Sequence, residues 1–131
     1  MLFTVYSFSQ NIETVSINEV NNVPIFPGCD KGNNNSKRKC LSKKIIDHTK
    51  RYFRTAEISK NLGLSGKQRI STIFKIDTTG RIIEVRARAA HQNLEKEAIR
   101  VIKLLPIFKP GIYKGEKAIV TYSLPIIFEI N

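Results

Sequence analysis

Four side chains of this 131-residue chain are of the types that most often ligate metals, attack substrates or move protons near neutral pH: Cys29, Cys40, His48 and His91. Their spacing argues against all three uses. A structural zinc site takes four ligands, usually in close Cys or His pairs, and Cys29, Cys40 and His48 supply neither the number nor the spacing. His48 follows Asp47 in a basic stretch and His91 falls in a turn, and neither has a nucleophile beside it in a catalytic arrangement, so both read as surface histidines. The glycines fall at turn positions and form no phosphate-cradling loop. No enzyme activity, metal, cofactor or small-molecule substrate is therefore expected. The cysteines are separated by a Gly/Asn-rich and then basic loop, residues 30–39. In an exported chain they are candidates for a disulfide worth about 3 kcal/mol by loop closure. Two free buried thiols are the other reading.

With catalysis set aside, the elements themselves become the question. The length suits one domain, and no run approaches the roughly 18 apolar residues a membrane-spanning helix requires. The net charge of +11 is unevenly placed: residues 31–69 hold twelve Lys or Arg against Asp47 and Glu57, and residues 1–30 hold none against three acids. That asymmetry fits either an anionic partner or a solvated basic helix.

Residues 1–9 read as a short apolar run ending in a small-x-small pattern, like the tail of a signal peptide cleaved before Gln10, or as an N-terminal strand. Residues 10–22 read as an arm or a weak added strand, and Val23-Pro24-Ile25-Phe26-Pro27-Gly28-Cys29 as an extended clamp opening a domain over residues 23–131. Leu41, Ile45, Tyr52, Phe53 and Ala56 recur at helical spacing and predict one helix over residues 41–62, stopped by Gly63. Residues 68–89 predict a hairpin, with Ile70, Thr72, Phe74 and Ile76 facing inward on one strand, Asp77-Thr78-Thr79-Gly80 as the turn, and Ile83, Val85, Ala87 and Ala89 facing inward on the return. Asn93 is the expected N-cap of a second helix carrying Leu94, Ala98, Val101, Ile102 and Leu105, ended by Pro106.

After a Pro110-Gly111 turn, Ala118, Val120, Tyr122, Leu124, Ile126, Phe128 and Ile130 alternate along a single long strand. Pro125 lies on the opposite parity and has no N–H for a ladder, which marks a sheet edge or a bulge. An edge strand can accept a peptide as one more strand. The stretch expected to do so comprises Lys117, Ala118, Ile119, Val120, Thr121, Tyr122 and Ser123, with Ile119, Thr121 and Ser123 turned away from the core to tune selectivity.

With these motifs in order, residues 23–130 resemble the C-terminal domain of the TonB family of energy transducers, of the Bacteroidetes type. The matching residues are Val23-Pro24-x-Phe26-Pro27-Gly28-Cys29, Gly63-x-x-Gly66, Ile70-x-x-x-Phe74-x-Ile76-Asp77-x-x-Gly80, Leu94-x-x-x-Ala98, Leu105-Pro106-x-Phe108-x-Pro110-Gly111 and Tyr122-x-Leu124-Pro125-x-x-Phe128. The resemblance implies a periplasmic α+β domain, two helices on one face of a three-stranded antiparallel sheet. It also implies a partner: the TonB box, an extended segment of an outer-membrane transporter, added to the sheet at the last strand to pass on the energy of an inner-membrane motor. Arg51-Tyr52-Phe53-Arg54 stands where many members carry Tyr-Pro, and these residues include neither the membrane helix nor the Pro-rich spacer of TonB itself. A soluble binder, an adaptor or a domain of a longer product is expected. The alternative class is a basic α+β nucleic-acid-binding module, and a third reading is a homo-oligomer joined through edge strands.

Overall fold

The computed structural model describes residues 12–130. In chain order its elements are β1 (Thr14–Ser16), α1 (Asn34–Tyr52), α2 (Thr55–Leu62), β2 (Gly66–Ile76), β3 (Ile82–Arg88), α3 (Gln92–Lys103), β4 (Gly111–Tyr113) and β5 (Glu116–Ile130). The strand order is β1-β5-β2-β3, and β4 folds back on the start of β5. β2 runs antiparallel to both β3 and β5, whereas β1 is parallel to β5. The α+β class holds, but the expected three antiparallel strands and two helices are corrected: the described residues form five strands, a mixed sheet and three helices. The suggested signal remnant at residues 1–9 lies outside the described residues.

Strict alternation explains the sheet. Ala118, Val120, Tyr122, Leu124 and Ile126 of β5 are buried, as are Ile70, Thr72, Phe74 and Ile76 of β2, and the uninterrupted register from Gly66↔Ile130 to Ile76↔Val120 puts both sets on one face. α3 closes that face with Leu94, Ala98, Val101 and Ile102, and α1 adds Leu41 and Ile45. Thr72 can stand in this core because its hydroxyl donates to the Leu124 carbonyl at 2.6 Å.

Several local readings change. The single helix expected over residues 41–62 starts earlier, where the Asn33 side chain accepts from the Ser36 N–H at 2.9 Å, and breaks at Phe53, whose backbone is extended. Neither Gly nor Pro causes that break. Tertiary packing does: the Phe53 ring lies 5.0 Å from that of Phe128, and the Arg54 N–H donates to a Glu97 carboxylate oxygen at 2.7 Å. Asn93 is not the cap of α3; His91 holds that position, without a side-chain capping bond. In β3 the pairing slips between Ile73 and Lys75, with Glu84 at φ +50°, so Ile83 pairs with Lys75 on the outer face and Ile82 takes the inward place opposite Ile76. The arm is built in: Val15, Ile17 and Val20 are buried in the same core cluster as Phe74 and Val120.

Candidate functional site

The long strand β5 changes character along its length. Over its first half it has partners throughout, and at Val120 and Thr121 on both sides, β1 on one and β2 on the other. Ala118 and Lys117 pair with Gly111 and Ile112 of β4, and Ile119, Val120 and Thr121 pair with Thr14, Val15 and Ser16 of β1. The Ile119 N–H donates to the Glu13 carbonyl at 2.9 Å, and the Ile17 N–H donates to the Thr121 carbonyl at 3.0 Å. The expectation of an open edge over residues 117–123 is thereby corrected at Ile119 to Thr121, which β1 covers. Of the expected stretch, Tyr122 and Ser123 lie beyond β1, where the edge opens and continues to Ile130. Ile119, Thr121 and Ser123 do point away from the helices, Ser123 being the exposed one.

Which groups the open edge offers follows from alternation. Ile119 and Thr121 direct their backbone groups toward β1, so Ser123, Pro125, Ile127 and Glu129 direct theirs to the same side, where no strand stands among the described residues. Pro125 contributes only its carbonyl. Ser123, Ile127 and Glu129 supply three N–H donors, and all four residues supply acceptors. Pro125 is thus accommodated because its missing donor would have faced the open side.

Beside this edge lies a cavity of about 420 Å³ lined by Ile46, Thr49 and Phe53 of α1 and its end and by Pro125, Ile126 and Phe128 of β5, with Lys50 and Glu129 at its margin. The Ser42 and Tyr122 hydroxyls hydrogen-bond to each other at one end of the groove, and the Phe53–Phe128 ring pair braces the other. Helical spacing sets exposed Lys39, Lys43 and Lys50 in a stripe with Ile46 along the groove side of α1, while Lys37 and Lys44 fall on the opposite side. The sequence reading treated the basic segment as one block and missed this division; heptad spacing of 39, 43, 46, 50 and 53 was its signal.

The helical wall is pinned from below. Glu97, only 7% exposed, takes two hydrogen bonds from Arg100, at 2.7 and 2.8 Å, besides that from the Arg54 N–H. Burial pushes its carboxyl pKa up, but Arg100 and Arg54 outweigh burial and hold it below the ordinary glutamate range. A depressed carboxylate pKa contributes stability above the unfolded value of about 4.3 that is lost as pH falls through the folded value. Glu97→Gln should therefore cost about 1–2 kcal/mol near neutrality, and its melting temperature should converge with that of the wild type in acid. Melting curves across that pH range check this, and a difference constant with pH would refute it. His48, expected at the surface, is half-buried and donates its Nε2–H to the Val101 carbonyl at 2.8 Å, joining α1 to α3.

Cys29 and Cys40 are bonded to each other across a Cα–Cα distance of 5.7 Å, tying the clamp to α1. Among the described residues no group of three or more His, Cys, Asp or Glu is placed to hold a metal ion, and no helix is long and apolar enough to cross a membrane.

The domain is thus of the α+β class, with a long final strand open along part of its edge, a surface to which an extended peptide can be added. The family described as the Gram-negative bacterial TonB protein C-terminal region matches residues 56–130, more than half of the chain, and the chain belongs to that family. Its domains are non-enzymatic energy transducers of the periplasm that act with outer-membrane transporters. No curated protein matches the chain.

Proposed function

We propose that the protein is a periplasmic module of TonB-dependent transport that captures an extended TonB-box segment of an outer-membrane transporter by strand addition to β5. The observation that carries this reading is the coincidence of an unpaired edge, Ser123 to Glu129, with an apolar cavity on its helical side. Main-chain bonds to Ser123, Pro125, Ile127 and Glu129 supply affinity, and alternate peptide side chains enter the cavity between Ile46, Phe53 and Phe128. The strand-pairing site overlaps the expected stretch at Tyr122 and Ser123 and extends beyond it. Binding across residues 117–121 would require β1 to leave.

The test removes one donor. Ile127 is 46% exposed and its N–H faces the open side, so Ile127→Pro deletes a ladder bond while leaving the buried residues in place. A lost hydrogen bond is worth about 0.5–1.5 kcal/mol net, a weakening of roughly twofold to thirteenfold. Ile127→Val keeps the donor and should change affinity little. Titrating a labelled TonB-box peptide into both variants, after confirming native-like melting, decides the matter: equal affinity for a folded Ile127→Pro protein places the site elsewhere.

A further inference from the structure

The second face of the sheet, turned away from the helices, carries a charge pattern that strand addition does not use. Register defines its rows: Arg88–Ser71–Pro125, then Arg86–Ile73–Ser123, with Arg69 facing Ile127 at one end and Lys67 facing Glu129 beyond it. Two cations on this face have acidic neighbours. Lys75 is ion-paired with Glu84 at 2.5 Å, and Lys67 stands opposite Glu129. Arg86 adds an attraction to Glu84, yet no hydrogen bond or ion pair joins Arg69, Arg86 or Arg88 to any group among the described residues.

Residues two apart on a strand are separated by about 6.5–7 Å, and adjacent strands by about 4.8 Å. Three guanidinium groups are therefore concentrated around Ser71, and like charges at such spacing destabilise a sheet unless an anion compensates them. Between and beside them stand Ile73 and Ile127, 41% and 46% exposed. Cations spread over two adjacent strands, β2 and β3, with aliphatic side chains among and beside them, match a surface bearing many phosphates above an apolar layer.

We propose that this face rests on an anionic lipid surface, with Arg69, Arg86 and Arg88 on headgroup phosphates and Ile73 and Ile127 at the polar–apolar boundary. Charge complementarity selects this occupant. An isologous contact with a second copy would bring six unpaired guanidinium groups into one interface. Single-stranded nucleic acid would find phosphate partners, but among the described residues no aromatic side chain on this face offers its bases a stacking platform. The proposal shares Ile127 with strand addition, since that residue also lies on the open edge and lines the cavity, but Arg69, Arg86, Arg88 and Ile73 take no part in that site.

The experiment co-sediments the full chain with vesicles of phosphatidylcholine doped with phosphatidylglycerol and with vesicles of phosphatidylcholine alone. The wild type should partition onto the anionic vesicles only. Each cation near an anionic surface contributes about fivefold in partitioning, so the triple variant Arg69→Glu, Arg86→Glu, Arg88→Glu should lose at least about tenfold. The matched control is Lys44→Glu, Lys60→Glu, Lys103→Glu, an identical charge change at exposed helical positions, which should lose no more than about twofold by the same measure. The milder triple Arg→Gln variant repeats the comparison, with native-like melting confirmed for every protein, and Ile73→Ser should weaken binding without altering charge. Equal losses in the two charge-reversed proteins would show adsorption by total charge and overturn the proposal. So would failure of the wild type to bind, or an RNA oligonucleotide bound through the same arginines when vesicles are not.

Discussion

Gly80→Ala should lower the melting temperature by about 10–20 °C, the largest effect expected from removing so little freedom. Gly80 closes the β2–β3 turn at φ +83°, where an L side chain alone costs about 1–2 kcal/mol. Its setting adds a second penalty. A Cβ placed there would stand 1.7 Å from the Phe108 carbonyl oxygen, because the chain leaving α3 crosses directly over the turn and the Phe108 N–H donates to the Gly80 carbonyl at 2.8 Å. Backbone must move, and with it Phe108, whose ring packs edge-on against Phe26 at 5.2 Å. A total near 4 kcal/mol follows, at the upper end for a single substitution. Gly115→Ala is the control: its φ is +79° with nothing within 4 Å of the added carbon, so only the conformational cost of about 1–2 kcal/mol remains. Equal falls for the two variants would show that the Phe108 crossing carries no weight.

Reduction of the Cys29–Cys40 bond should cost about 3 kcal/mol, the entropy regained by a loop of this size in the unfolded chain. The bridge joins the buried Cys29 of the clamp to a residue within the second turn of α1, so its loss also loosens that clamp, which otherwise rests on the bond from the Val23 N–H to the Asn34 side chain, 2.7 Å long, and on the Ile25–Lys109 bridge. Thermal melts with and without reductant, and of the Cys29→Ala, Cys40→Ser double variant, should agree in showing the loss. Intact-mass measurement after alkylation without reductant completes the test: two freely alkylated thiols in material from the native compartment would refute the bond. Because Cys40 lies away from the cavity at Ile46, Phe53 and Phe128, peptide affinity of the still-folded reduced protein should stay near that of the oxidised one.

The sheet was legible in the sequence because period-two burial is a local signal. Each of Ile70, Phe74, Val120 and Leu124 declares its face through its neighbours two residues away, and Asp77 with Gly80 declares the turn. What escaped was decided at a distance. Nothing near Phe53 stops a helix; Phe128 and Glu97, far along the chain, do. The alternation of Val15 and Ile17 is too short to announce a strand, and it becomes one because Ile119 and Thr121 are there to pair with it. The open edge expected over residues 117–123 begins instead at Ser123, since only the partner β1 fixes where openness begins. Ile83 was assigned inward by parity, and a one-residue bulge at Glu84 reversed it.

Because β1 stops beside Thr121, whatever extends this sheet meets an end-stop. A strand added there starts beyond Thr121, and Pro125, silent as a donor, marks one rung of its ladder as different from the rest. In the proposed mode of binding the arm therefore acts as a ruler: it sets where an added strand begins and the frame in which it is read.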